Sequence, residues 1–303
     1  MALRQTGRPL QMTETDETTA PEHISTAVMA SFEDCGDPRL EEIMTALVRH
    51  LHGFALEVGL SGEEWLAGVR FLTETGDITD DVRQEFILLS DTLGLSMLVD
   101  AIAHERRQGG TESTVLGPFW VSGSPERGYG ESIVEEPSGE PAWVHGRVLD
   151  PGGRAIPGAT LDVWQNGDDM LYQVQKTDGN PGNLRGVFTT RDDGGFAFLA
   201  VRPSDYSIPA DGPVGRMLVA TGRHPWRPAH LHVIVSAPGF ETLVTHLFDS
   251  ESAYLDSDAV FGVKPSLVRR FVPRSAGDPA RPAGVESAWY SLESDFVLVP
   301  AAS

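Results

Sequence analysis

The chain of 303 residues carries 44 aspartate and glutamate residues against 23 lysine and arginine residues, a formal net charge of −21. This acidity argues against a nucleic-acid-binding protein, and an anionic substrate would need local positive charge from a metal or a placed arginine. The single cysteine, Cys35, excludes an internal disulfide and predicts a reducing, cytoplasmic location. We interpret Cys35 as an inert thiol. No apolar run is long enough to span a membrane.

The N-terminal third of the chain is predicted to be helical. Residues 1–21 are polar and threonine-rich, which predicts a flexible arm. Residues 22–108 repeat apolar side chains at helical spacing and are predicted to form three helices, beginning at Asp37, Ser61 and Thr79, the last continuing to about His104. Their apolar faces would be exposed without a partner, so we predict that residues 22–108 form a dimerisation domain.

From Trp143 onward the pattern changes to short strands. We predict strands at 143–149, 161–164, 187–190, 196–199, 217–220, 231–235, 242–248, 271–272 and 296–299. The strands at 187–190 and 196–199 are interpreted as a hairpin with a glycine-rich turn. The predicted fold class is mainly β with α: an antiparallel β-sandwich catalytic domain over residues 109–303, preceded by the helical region. The long loops 165–186 and 202–216 are predicted to carry function.

A pair of histidines provides the first chemical signal. Residues 227–235 read Arg-Pro-Ala-His-Leu-His-Val-Ile-Val, which predicts a strand after the proline. Because strand side chains alternate, His230 and His232 point to the same face. Two imidazoles on one face form half of a metal site. The alternative is a pair of hydrogen-bonded histidines on a half-exposed strand.

The surrounding residues indicate which metal would suit this pair. A cupin would place a glutamate soon after the second histidine, but no carboxylate follows until Glu241. A zinc site would favour cysteine or a third histidine, and Cys35 lies far away in the sequence. Two of the five tyrosines, Tyr172 and Tyr206, lie in the two long loops. Two tyrosinates and two neutral imidazoles suit a hard cation of high charge such as Fe(III).

The order of Tyr172, Tyr206, His230 and His232 resembles that of the intradiol ring-cleavage dioxygenases. Residues 211–215 (Asp-Gly-Pro-Val-Gly) and 227–232 carry the same resemblance. Within the family, three further segments are most similar to hydroxyquinol 1,2-dioxygenases, namely residues 115–119, 241–246 and 258–264. The resemblance covers approximately residues 22–300.

The resemblance implies an Fe(III) ion, one per subunit, held by Tyr172, Tyr206, His230 and His232. In the family, the ligand matching Tyr206 leaves when substrate binds and accepts a proton, whereas the one matching Tyr172 stays. The implied reaction is intradiol cleavage of hydroxyquinol (benzene-1,2,4-triol) by O₂, in aromatic catabolism. The product is 3-hydroxy-cis,cis-muconate, which is equivalent to maleylacetate. The resemblance also implies a homodimer through the helical region, with a phospholipid bound at its interface.

The resemblance also implies substrate contacts. Arg227 matches an arginine that faces the substrate ring and stabilises carbanion character there. Strand alternation alone would turn its side chain away from the histidines, but Pro228 disturbs that alternation. The alternative is a surface ion pair. The pocket wall implied by the family consists of Leu88, Asp91, Val115, Leu116, Gly117, Pro118, Phe119, Ile208, Pro209 and Val260. Asp91 is predicted to accept a hydrogen bond from the third hydroxyl; the alternative is a helix-surface carboxylate. His246 is either a further substrate contact or a core histidine.

Two other functions remain open from the sequence. A catechol or chlorocatechol 1,2-dioxygenase would have the same iron and a different pocket. A non-catalytic, transthyretin-like β-sandwich that binds ligands would contain no iron and would leave the four-residue pattern unexplained.

Overall fold

The structure, a computed structural model, describes residues 21–80, 83–104, 109–136, 139–177 and 179–301. The predicted arm lies outside the described residues except for Pro21, which begins a helix. The chain divides into two compact units after Leu72. The strands and all the predicted site residues belong to the second unit.

Three helices occupy the start of the chain: α1 (Pro21–Ala30), α2 (Pro38–Val58) and α3 (Gly62–Asp77). The Asp37 carboxylate accepts hydrogen bonds from the backbone N–H groups of Arg39 and Leu40 and so caps α2. Ser61 and Glu64 exchange hydrogen bonds in a capping box ahead of α3. The predicted starts of these two helices are therefore confirmed.

The third predicted helix is wrong as a single element. Two short helices replace it, α4 (Glu85–Thr92) and α5 (Leu95–His104). Thr79 and Asp80 are not helical, and Gly94 between the two helices has a φ of +75°, which a right-handed helix cannot contain. No single helix among the described residues is long and apolar enough to cross a membrane, although the bent pair α4–α5 meets those criteria jointly.

Twelve strands are present in the described part of the chain. They are β1 (Pro141–Leu149), β2 (Thr160–Trp164), β3 (Arg185–Thr189), β4 (Gly195–Val201), β5 (Tyr206–Ser207), β6 (Trp226–Arg227), β7 (His230–Ser236), β8 (Leu243–Asp249), β9 (Val268–Arg269), β10 (Val272–Arg274), β11 (Trp289–Glu293) and β12 (Phe296–Val297). One sheet has the order β10-β11-β1-β12, with β4 also paired to β1, and the other has the order β3-β2-β7-β8-β9. Strands β5 and β6 form a separate ribbon.

The two large sheets share one apolar core. Alternating side chains of β1 and β4, such as Val144 and Phe198, contribute to the same buried cluster as Leu161 and Val233 of the second sheet. The predicted β-sandwich with a helical N-terminal region is therefore confirmed. The sheets are mixed, because β1 runs parallel to β11 and β12, and β8 runs parallel to β9.

Two strand predictions are wrong in ways that matter for topology. β3 and β4 do not form a hairpin: β3 pairs with β2 and β4 pairs with β1, so the Asp-Asp-Gly-Gly turn crosses between the sheets. Residues 217–220, predicted as a strand, belong to helix α6 (Pro213–Ala220). Pro213 at the first turn favours helix initiation there, which outweighs the β propensity of the apolar residues that follow.

Candidate active site and metal centre

Two different kinds of element bring the four predicted ligands together. His230 and His232 lie on β7, a central strand flanked by β2 and β8, and both side chains are buried. Tyr172 lies in the loop after β2, where its backbone caps a 3₁₀ turn. Tyr206 lies on β5 and pairs with Arg227 of β6 in the short ribbon. The sandwich thus supplies the histidines, and a loop and the short ribbon supply the phenols.

The donor atoms of these residues converge. Tyr172 Oη lies 3.0 Å from His232 Nε2 and 3.4 Å from His230 Nε2, and the two Nε2 atoms are 3.1 Å apart. The Tyr206 ring centroid lies 5.2 Å from that of Tyr172 and 5.6 Å from that of His230. Two donors about 2.1 Å from one ion, at right angles to each other, are about 3 Å apart. The observed separations therefore suit donors that share one metal ion.

Both histidines are neutral and one has a defined tautomer. His230 Nδ1 lies 2.7 Å from the Pro228 carbonyl oxygen, which can only accept, so the proton is on Nδ1 and the Nε2 lone pair faces the site. Burial, aided by the charge of Arg227, lowers the pKa of His230 to about 3. Burial also lowers the pKa of His232 well below its usual range. Both imidazoles are thus available as lone-pair donors.

The two phenols need a cation in order to ionise. Burial, and then the neighbouring Tyr206, raise the pKa of Tyr172 well above its ordinary value. Burial also raises the pKa of Tyr206, although the charge of Arg227 opposes this. A buried tyrosinate pair without a counter-ion would be costly, whereas a trivalent ion with two tyrosinates and a hydroxide is neutral. The chemistry of the donor set therefore fits a ferric ion.

Arg227 is a buried residue of the site. Its side chain is 2 % exposed, and its NH1 donates a 3.1 Å hydrogen bond to Tyr206 Oη. Its other face forms an ion pair with the buried carboxylate of Asp258. The alternative of a surface ion pair is therefore wrong for Arg227. Pro228 interrupts the strand between β6 and β7, as predicted.

Known protein families match this chain over nearly its whole length. The family model "Dioxygenase" matches residues 116–299 and the model "Catechol dioxygenase N terminus" matches residues 37–111. The hydroxyquinol 1,2-dioxygenase of a Rhizobium species is 50% identical over 279 residues, which are 91% of this chain and 95% of that protein. The 6-chlorohydroxyquinol 1,2-dioxygenase of Cupriavidus pinatubonensis is 48% identical over 92% of this chain and 97% of that protein. This chain belongs to the intradiol ring-cleavage dioxygenases.

A solved structure agrees with this assignment. The hydroxyquinol 1,2-dioxygenase from Pseudomonas putida DLL-E4 superposes with a TM-score of 0.86 at 51% identity, and the match covers 93% of this chain and 99% of that one. Intradiol dioxygenases are iron-dependent enzymes, and the buried histidine cluster of this chain can bind a metal. The protein is therefore an iron-dependent intradiol dioxygenase.

A cavity of about 420 Å³ opens beside the dioxygenase site. Leu88, Pro118, Phe119 and Pro209 of the predicted pocket wall line it. The Phe119 ring also stacks on Tyr172 at 4.6 Å, so this cavity adjoins the Tyr172 phenol. Polar residues that include Arg83, Gln84 and Lys176 also line the cavity.

The other predicted pocket residues lie in different surroundings. Val115 and Val260 pack with Met97 in a small buried cluster. Asp91 is 3 % exposed on α4, so the alternative of a helix-surface carboxylate is wrong. The remaining members differ in exposure: Ile208 is buried and Leu116 is 39% exposed. A Cβ on Gly117 would lie 3.4 Å from the ring of His232, which places this residue against the histidine.

His246 lies behind the two histidines of β7. It is directly opposite His232 in the β7–β8 register, is fully buried, and stacks on His230 with ring centroids 4.5 Å apart. Burial lowers the pKa of His246 well below its usual range, so the ring is neutral. Its role as a substrate contact stays a prediction.

Two residues of the site were missed from the sequence. Trp164 on β2 stacks on the His232 ring at 4.6 Å and fixes its plane. Asp258 pairs with Arg227 across the site. Trp164 could have been found from strand alternation combined with β2–β7 pairing, but that pairing is not local. Asp258 stands two residues before Val260 in a loop, where no periodicity identifies a partner.

Proposed function

We propose that this enzyme cleaves hydroxyquinol between its adjacent hydroxyl groups, incorporating both atoms of O₂ to give 3-hydroxy-cis,cis-muconate. The main observation in support is the convergence of two phenols, two neutral imidazoles and one guanidinium at a buried point beside a cavity. The choice of hydroxyquinol is supported by relatives of that name at 46–50% identity.

The proposed cofactor is one Fe(III) per subunit, held by Tyr172, Tyr206, His230 and His232. When bound, it supplies the positive charge that ionises the phenols and the two adjacent hydroxyls of the substrate. Tyr206 Oη is the protein atom proposed to accept one substrate proton. The hydrogen bond that Arg227 NH1 donates to this oxygen favours the phenolate, which is the form that can accept a proton. Tyr172, packed against Phe119, stays in place.

The protein side chains are proposed to divide the remaining tasks. The apolar wall of Leu88, Pro118, Phe119 and Pro209 clamps the ring and excludes water from the reacting face. Arg227 faces the ring and stabilises negative charge that develops on it. Asp91 is proposed to accept a hydrogen bond from the third hydroxyl of the substrate. Burial raises the pKa of Asp91 above its usual range, partly offset by a hydrogen bond from Ser96. A further hydrogen-bond donor, such as the third hydroxyl, would therefore stabilise this buried carboxylate.

The proposed assembly is a homodimer formed by the helical domain, residues 22–108, with residues 109–303 as the catalytic domain. Apolar residues at 3–4 residue spacing on α2 are about half exposed: Leu40, Ile43, Leu47, Leu51 and Phe54. Such a face on a single helix favours burial against another subunit. A phospholipid at this interface is part of the same proposal, and a cytoplasmic location stays a prediction.

The test combines metal analysis, spectroscopy and turnover. Purified protein should contain about one iron per chain and be red-brown from tyrosinate-to-iron charge transfer. Oxygen uptake with hydroxyquinol should be faster than with catechol or chlorocatechols, with one O₂ consumed per ring opened and the muconate identified by mass spectrometry. Folded, iron-free and colourless protein would favour the binding-module alternative. Preference for catechol would reassign the substrate and leave the iron site standing.

A further inference from the structure

The carboxylate of Asp258 is heavily hydrogen-bonded. Its Oδ1 accepts from Arg227 Nε at 3.0 Å and from the Val260 backbone N–H at 3.2 Å. Its Oδ2 accepts from Arg227 NH2 at 3.3 Å and from the Gly262 backbone N–H at 2.9 Å. The side chains of Asp258 and Arg227 are each 2 % exposed. Four donors thus converge on one buried carboxylate.

We propose that Asp258 is a positioning residue for ring cleavage, which holds the Arg227 guanidinium so that only its NH1 edge is presented to the active site. This inference rests on the proposed function. Arginine offers a planar fork of donors, and Asp258 binds the fork edge formed by Nε and NH2. The NH1 group is left to donate to Tyr206 Oη at 3.1 Å.

This arrangement lets one arginine serve two partners. NH1 carries two hydrogens, so it can donate one to Tyr206 Oη and the other to the negative charge developing on the substrate ring. The contacts with Asp258 need not change when the second partner binds. Without Asp258, the flexible Arg227 side chain would have to become ordered during the reaction, at a cost in entropy. The contacts with Asp258 order it beforehand.

The same carboxylate also fixes the pocket wall. By accepting from Val260 and Gly262 it ties the loop after Asp258 to the arginine. The Gly262 carbonyl in turn accepts a 3.0 Å hydrogen bond from the buried Thr114 hydroxyl, adjacent to the pocket residue Val115. Asp258 therefore links the position of the catalytic charge to the position of two wall residues.

Gly262 provides an independent way to disturb this arrangement. A Cβ on this residue would lie 3.0 Å from Arg227 NH2 and 3.1 Å from Asp258 Oδ2, closer than such contacts normally are. Gly262→Ala would thus push the guanidinium aside without removing a charge from the site.

The first experiment is a double-mutant cycle on the iron-loaded enzyme with Asp258→Asn, Arg227→Gln and the double variant. Asp258→Asn should lower kcat for hydroxyquinol by about a hundredfold, because a small misplacement of a reacting group has an effect of that size. KM should change far less. If Asp258 acts through Arg227, adding Asp258→Asn to Arg227→Gln should change kcat by less than about twofold. If the effects of the two single substitutions on kcat instead multiply in the double variant, the proposal is wrong.

A spectroscopic readout separates positioning from simple loss of fold. Both Asp258→Asn and Arg227→Gln should shift the visible band of the substrate-free iron protein to longer wavelength, because each weakens the hydrogen bond to the Tyr206 oxygen. Asp249→Asn is the matched control: Asp249 is equally buried and pairs with Arg202. It should lower stability and leave the band and kcat unchanged. An unshifted band in folded Asp258→Asn would contradict the inference.

Metal-free protein supplies a further test that does not depend on turnover. Asp258→Asn leaves a buried guanidinium without its counter-ion, so its urea midpoint should fall, and the double variant should recover part of the loss. Gly262→Ala should lower kcat with the charges intact, and wild-type kcat in this variant would also overturn the proposal. Wild-type protein that lacks iron and turnover would instead refute the proposed function, which keeps the two failures distinct.

Discussion

At the residue scale, the two tyrosines differ in how the protein holds them. Tyr172 is stacked on Phe119, and its oxygen lies against both histidines. Tyr206 instead accepts a hydrogen bond from Arg227, a partner that can stabilise the phenol oxygen after it leaves a metal. The difference in contacts supports different roles for the two tyrosines that are proposed as ligands.

The corresponding variants should therefore differ. Substrate should bleach or shift the visible band of the wild-type enzyme by displacing Tyr206. Tyr206→Phe should have a weaker band at rest and a smaller substrate-induced change, whereas Tyr172→Phe loses the ligand that persists. Stopped-flow absorbance with and without substrate measures both. Identical substrate-induced changes in wild type and Tyr206→Phe would contradict the assigned roles.

Asp91 is the residue whose substitution should alter substrate choice. A charge-assisted hydrogen bond contributes roughly 1.5–3 kcal/mol, so Asp91→Ala should lower kcat/KM for hydroxyquinol about ten- to a hundredfold. Catechol lacks the third hydroxyl, so its weak turnover should change little and serves as the internal control. Equal losses for both substrates would show that this buried carboxylate supports only the fold.

At the element scale, β1 is the strand on which one sheet depends. It pairs with β4 along one edge and, along the other, with β11 over Ala142–His145 and then with β12 at Val148 and Leu149. Gly146 lies where the partner changes, and a Cβ there would be 1.9 Å from the Ser294 carbonyl oxygen. The backbone approach at this crossing leaves no room for a side chain.

Gly146→Ala should therefore destabilise the catalytic domain. Overpacking typically costs about 1–3 kcal/mol, and a clash with backbone belongs at the upper end. Urea unfolding of the metal-free protein, followed by fluorescence, measures the change. Gly277→Ala, where nothing lies within 4 Å of the added methyl, is the control and should unfold like wild type. An unchanged midpoint for Gly146→Ala would contradict the close approach.

At the scale of the whole molecule, the exposed face of α2 should control assembly. Light scattering at micromolar concentration should give about twice the 32.8 kDa of one chain. Leu47→Glu together with Leu51→Glu places charges on that face and should yield monomers. Arg49→Glu, on the opposite and exposed side of the helix, is the matched control and should stay dimeric. A monomeric wild type would refute the dimer.

The sequence alone was sufficient wherever the decisive pattern is local. Alternation placed His230 and His232 on one face of β7, and the caps at Asp37 and Ser61 marked the starts of α2 and α3. The ordered set of two tyrosines and two histidines was enough to indicate the family, because these four residues can be recognised by their order even though they are not adjacent. The strand face and the helix caps depend on bond geometry and residue type within a few positions, whereas the ordered set depends only on residue type and order.

Only the tertiary structure decided the rest, since pairings between distant residues leave no period in the chain. β3 and β4 are adjacent in sequence and still belong to different sheets, because each finds its partner across the core. Arg227 is buried in the site because Asp258, 31 residues later, provides its counter-charge. A buried charged side chain lies where an opposite charge can pair with it, and the fold determines where that partner is.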